Sequence, residues 1–129
     1  KKYLCYRRLS MSTLQVSNLN DGTTTVPTTF VNSGSAKSWL NADGTGTISI
    51  RDSFNVSSIV DSFTGQITFN FSNAFANLGY SATAATNQFH NYVTNGNKSV
   101  NSNIVAAANG SNSNVDSAQM NCTCHGDLA

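Results

Sequence analysis

Glutamate is absent from this 129-residue chain, proline and tryptophan occur once each, and charged residues make up only 10%, against about 25% in an average globular domain. Helices are normally surfaced with Glu, Lys, Arg and Gln, so a mainly helical fold is excluded by what is missing. No stretch approaches the ~18 apolar residues of a membrane span, and none forms the apolar run of a signal peptide. Catalytic chemistry is poorly provided for as well. Glycosidases need a placed pair of carboxylates, but Asp52, Asp61 and Asp116 lie near expected turns. There is no Gly-x-Ser-x-Gly elbow, and neither His90 nor His125 has a distinctive nucleophile nearby. The expectation is a non-enzymatic protein without a cofactor.

What fills the chain is 18 Asn, 18 Ser and 14 Thr. Asn and Ser compete with helical backbone bonds and favour turns, whereas Thr also tolerates strands. Against that background one stretch is densely patterned. Ile48 and Ile50 alternate with small polar residues, as do Phe54 and Val56, then Ile67, Phe69 and Phe71, which is the period of half-buried strands. The fold class expected is all-β, a small antiparallel β-sandwich preceded by an extended N-terminal arm. Strands are predicted over 36–41, 46–51, 54–60, 66–71, 80–86, 100–107 and 117–124. Turns are predicted at residues 41–44, 61–65, 95–96 and 109–110, and a single helical turn is allowed within 73–79. Residues 1–35 form the extension and arm, with one or two short strands, and 36–129 form the sandwich domain. A small β-domain with 39% hydrophobic residues has a modest core and open edges, which favours association with further copies.

Lys1, Lys2, Arg7 and Arg8 supply four of the seven bases, so from Met11 onward three bases face six Asp, a net of −3. Nucleic-acid binding requires a basic stripe with interleaved aromatics, which this body lacks. The first ten residues differ in character from the rest, consistent with an upstream extension before Met11 or with the remnant of a longer precursor. Cys122 and Cys124 are i, i+2 neighbours on one face of a predicted strand, roughly 6.5–7 Å apart at Cα, at or beyond the limit of disulfide geometry. Cys122-Thr-Cys124-His125 supplies half of a zinc ligand set at most; the simpler expectation is Met120, Cys122 and Cys124 facing the core between Asn121 and Thr123. Trp39 is expected in the core or a subunit interface rather than as a sugar-stacking platform, since single aromatics in strand patterns mostly pack. Arg51 is expected to fasten a turn through a carboxylate, and Gly44, Gly46 and Gly65 to adopt positive backbone angles.

The run Lys37-Ser-Trp39, then Gly44-Thr-Gly46, Ser53-Phe-Asn-Val-Ser-Ser58, the Gly65 hairpin and Asn77-Leu-Gly-Tyr80 resembles a domain of tail-fibre and other virion structural proteins of tailed bacteriophages, notably those of marine bacteria and cyanobacteria. The opening Met11-Ser-Thr-Leu-Gln-Val is similar to the start of such fibre proteins. The likeness covers residues 11–80; the final segment Met120-Asn-Cys-Thr-Cys-His125 departs from the more apolar last strand of that family. The resemblance implies a virion location, after assembly in the host cytoplasm, and an arm that contacts other tail or capsid proteins. Leu14, Val16, Leu19 and Phe30 are its candidate arm contacts, and a homotrimer is the expected assembly. Tyr92, Asn95, Asn97, Asn109 and Asn112, in two amide-rich loops, are candidates for contact with a host surface glycan. Two further readings stay open: an architectural decoration protein that binds no host, and a free carbohydrate-binding or adhesin module.

Overall fold

The computed structural model describes residues 15–94 and 98–129. Two compact units divide the chain, Lys1–Asn32 and Ser33–Ala129.

In the first unit, β1 (Asn18–Asn20) and β2 (Thr25–Pro27) form an antiparallel hairpin with Leu19 opposite Val26. Its turn is built by side chains: Asp21 Oδ1 accepts from the amides of Thr23 (2.9 Å) and Thr24 (2.7 Å), while Gly22 takes φ +97°. A short helix, α1 (Thr28–Gly34), follows. The sequence reading did not anticipate it, because Thr, Val, Asn and Ser are weak helix formers; Pro27 at its entrance and Gly34 at its end are the signals that frame it.

The second unit is an all-β sandwich of two antiparallel four-stranded sheets. Its strands are β3 (Ser38–Asp43), β4 (Ser49–Phe54), β5 (Val56–Phe63), β6 (Gln66–Phe71), β7 (Ser81–Thr86), β8 (His90–Val93), β9 (Ser102–Ala108) and β10 (Met120–His125). One sheet has the order β4-β3-β10-β7 and the other β5-β6-β9-β8. Each residue of β3 and β10 that enters the core alternates with one that does not: Leu40, Ala42, Met120, Cys122 and Cys124 are buried. From the facing sheet come Ile67, Phe69, Phe71, Val105 and Ala107. Phe75 and Tyr80 close one end of the core, their rings stacked at 4.2 Å and 24°, with Phe71 edge-on to both, at 4.8 Å and 5.8 Å.

Several expectations are corrected here. Residues 54–60 do not begin a strand at Phe54. The chain passes from one sheet to the other at Asn55, which adopts φ +56° and anchors the corner by donating to the Asn73 carbonyl (3.0 Å) and accepting from the Asn73 amide (2.7 Å). Phe54 therefore ends one sheet, largely exposed, whereas Val56 begins the other and packs on the core. Residues 73–79 make no helical turn, because the Phe75 amide donates to the Val100 carbonyl (2.9 Å) and Phe75 bridges to Leu128. The turn expected at 41–44 falls later, since β3 runs to Asp43. Gly46 and Gly65 do have positive φ, but Gly44 does not. What Gly44 supplies is space: a Cβ there would stand 2.9 Å from both the Met120 side chain and the Ser117 carbonyl. A further strand, β8, was missed.

Trp39 is not in the core. Ser38, Leu40 and Ala42 take the inward positions of β3, which leaves the indole half-buried on the outer face, opposite Phe54 and Thr123.

Candidate ligand and partner surfaces

The loop that joins β9 to β10 is held by its own backbone and by Asn109. The Asn109 carboxamide oxygen accepts from the amides of Ser111 (2.9 Å) and Ser113 (3.1 Å), its amide donates to the Ser113 carbonyl (2.9 Å), and its carbonyl accepts from the Asn112 amide (3.0 Å). Asn109 thus organises the loop, and its oxygen is engaged in doing so. Asn112, at φ +59°, is exposed at the tip. Tyr92 on β8 donates its hydroxyl to Asn114 Oδ1 at 2.6 Å, which ties the loop to the edge strand. Tyr92, Asn109 and Asn112 therefore belong to one end of the sandwich; Asn95 and Asn97 lie outside the described residues.

The sequence reading missed Phe89. It is 83% exposed, with its ring 3.9 Å from the place a Cβ on Gly110 would occupy. An apolar ring standing in water beside a loop of ordered amides is the arrangement that sugar-binding and peptide-binding surfaces use, stacking on the ring and hydrogen bonding beside it. Its only sequence signal is that it interrupts the polar run Asn87-Gln88-Phe89-His90-Asn91 without any alternation to assign it to a core. His90 is exposed as the first residue of β8.

In the hairpin unit no residue among 15–32 is buried, and only Thr28 is half-buried. Val16, Leu19, Val26, Phe30 and Val31 are all exposed, Phe30 by 71%. Leu19, Val26 and Val31, with Asn20, Asp21 and Thr24, line an open groove of about 470 Å³. Of the candidate arm contacts, Val16, Leu19 and Phe30 are thus exposed; Leu14 lies outside the described residues.

Cys122 and Cys124 are buried free thiols. Thr123 separates them on the strand, and His125 is exposed at its end. The imidazole is thus on the alternation opposite to the two sulfurs, and no group of three metal-ligating side chains gathers among the described residues. Tyr80, beside them, donates its hydroxyl to the carbonyls of Ser99 (3.0 Å) and Ser102 (3.2 Å). The Lys98 ammonium lies 3.9 Å from the centre of the Tyr80 ring and donates to the Tyr80 carbonyl. Burial raises the Tyr80 phenol well above its ordinary range. The hydrogen bond with Cys124, then burial, push the Cys122 thiol far up, whereas Cys124 is held down by that same hydrogen bond and by the Lys98 charge. Both sulfurs are closed to solvent, which suits packing and not nucleophilic attack.

Near the start of the sandwich, Arg51 makes the carboxylate contact expected of it. Its guanidinium pairs with Asp43 at 2.6 Å and donates to the carbonyls of Ala42 (3.1 Å) and Ala118. It thereby fastens the bulge between β3 and β4.

No family model, no curated protein and no solved structure matches this chain.

Proposed function

We propose that this protein is a non-enzymatic structural subunit of a bacteriophage virion, a tail fibre or other tail appendage that takes part in attachment to the host. The observation that carries this reading is the hairpin unit, whose apolar side chains among residues 15–32 are all exposed. A two-stranded hairpin with a seven-residue helix is marginal in water by itself. Covering Val16, Leu19 and Phe30 with further copies, as in a homotrimer, or with neighbouring virion proteins supplies the missing burial. The ordered loop around Asn109 and Asn112, with Phe89 and Tyr92, supports contact with a host surface glycan, where repetition of subunits multiplies weak affinities. The motif likeness over residues 11–80 agrees with this role.

Locating the chain in purified phage particles by mass spectrometry and immunogold labelling tests the proposal, with native mass spectrometry of the full chain beside it. The expected result is a particle-bound protein that is trimeric when isolated. A monomer absent from particles that binds a soluble glycan would replace this reading with that of a free carbohydrate-binding module. A particle-bound trimer that leaves adsorption unchanged when Phe89 and Tyr92 are replaced by Ala would reduce it to an architectural part.

A further inference from the structure

The outer face of the β4-β3-β10-β7 sheet carries a second pattern. Phe54, Trp39 and Thr123 stand in register on three neighbouring strands, and two residues along each strand Asp52, Asn41 and Asn121 form a parallel row. The core side of these strands is taken by Leu40, Ala42, Cys122 and Cys124, so all six point outward. Trp39 and Phe54 are directly paired, and such pairs bring their Cβ atoms within about 5 Å. Phe54 is 53% exposed. Phe54 and the half-buried Trp39 therefore stand side by side on the outer face, about 7 Å along the strands from a row of two amides and a carboxylate. With strands about 4.8 Å apart, the four-stranded face is about 14 Å wide, enough for a short oligosaccharide laid across it.

We infer that this face binds an uncharged glycan, with Trp39 and Phe54 stacking on a sugar ring and Asn41, Asp52 and Asn121 hydrogen bonding its hydroxyls. Charge selects the class. Asp52 is the carboxylate in the second row; the Lys37 ammonium donates to Ser35, and Arg51 at the far end is already paired with Asp43. A row that carries a carboxylate repels a phosphate or a sulfated chain, whereas sugar hydroxyls satisfy amides and a carboxylate equally well. A second copy of this chain fits less well. Interface cores are depleted in Asp, and burying Asp52 against an identical face takes a carboxylate out of water with no cation to pair it. A sugar carries both an apolar C–H face and hydroxyls, which matches the two rows. The inference does not depend on the protein being part of a virion.

Trp39 is the only tryptophan in the chain, so its emission reports on this face alone. The experiment titrates the full chain with short neutral oligomers of glucose, mannose, galactose and N-acetylglucosamine while following tryptophan fluorescence, with sulfated oligomers as the contrast. A saturable change with a neutral oligomer is expected, none with the sulfated set. Calorimetry with the responding oligomer should show affinity falling about tenfold or more in Trp39→Ala and in Asn41→Ala. Both variants should keep the wild-type circular dichroism spectrum, as should Phe63→Ala, an exposed ring on β5 of the other sheet, which leaves affinity at this face unchanged. The inference is overturned if no neutral oligomer alters the emission, or if only the sulfated ones do. It is overturned equally if the emission shifts with protein concentration in the absence of sugar, which would make the face a contact between copies.

Discussion

Replacing Gly65 with Ala separates two reasons for a glycine, and the sandwich supplies its own control. Gly65 has φ +70°, and a Cβ built on it would lie 2.6 Å from both the amide nitrogen and the carbonyl oxygen of Val115 and 2.7 Å from the Ala107 carbonyl. The left-handed backbone costs an alanine about 1 kcal/mol. The collision is with main chain and not with a side-chain tip, so the β9–β10 loop has to retreat by several tenths of an ångström, at about 1–3 kcal/mol. That movement strains the Ala107 amide to Gly65 carbonyl bond (2.9 Å) and the bond from the Gly65 amide to Asp116 (2.8 Å). The expected total is about 2–4 kcal/mol, a substantial part of the 5–15 kcal/mol that holds a domain together. Gly46 has φ +57° with nothing within 4 Å of its Cβ position, so Gly46→Ala should cost only the backbone share, about 1 kcal/mol. Urea unfolding of both variants, followed by far-ultraviolet circular dichroism, measures the difference. Equal midpoints would refute the argument that the packing of Gly65 against the loop, and not its φ alone, determines the residue.

Arg51→Met keeps the aliphatic stem but removes the pair with Asp43 and two carbonyl contacts; since the groups are partly solvated, equilibrium unfolding should show a loss of about 1–2 kcal/mol. Thr45 hydrogen bonds, with Arg51 adding to them, hold the Asp43 carboxyl below its ordinary 3.8. A folded-state pKa lower than the unfolded one adds stability that is complete above the unfolded value and lost as pH falls through the folded value. Urea midpoints should therefore drop below about pH 4, and Asp43→Asn should flatten that drop. Cys122 and Cys124 should react with a thiol reagent only as fast as the sandwich opens, so labelling rates followed by mass spectrometry should rise with urea; rapid labelling of either in native buffer would contradict their burial.

The regular parts of this fold were legible because their side chains obey a period. β6 was read correctly over Gln66–Phe71, where Ile67, Phe69 and Phe71 alternate with Thr68 and Asn70. The cysteines of β10 were placed inward by the same rule. Period does not say which of two alternating sets is inside. For β3 the bulk of Trp39 suggested one set, and the smaller pair Leu40 and Ala42 turned out to be the buried one. β8 was hidden because His90, Asn91 and Tyr92 are all exposed and give no alternation. The corner at Asn55 was hidden because the left-handed residue falls inside an apparently continuous alternating run, Phe54-Asn-Val56. Of the surfaces, the amide-rich loop was visible as composition, but the pairing of Phe54 with Trp39 needed the register between strands, which a single sequence does not display.

The order of strands has a mechanical side. β3 is the first strand after the hairpin unit and is flanked by β4 and β10 in its sheet, and Trp39 is its second residue. Tension between an anchored N-terminus and a molecule gripped at the indole would enter the sandwich at Ser38 and leave one position later. The load path bypasses the buried aromatic cluster, so repeated tugging would test a few backbone bonds to β4 and β10 while the rest of the domain stays unloaded.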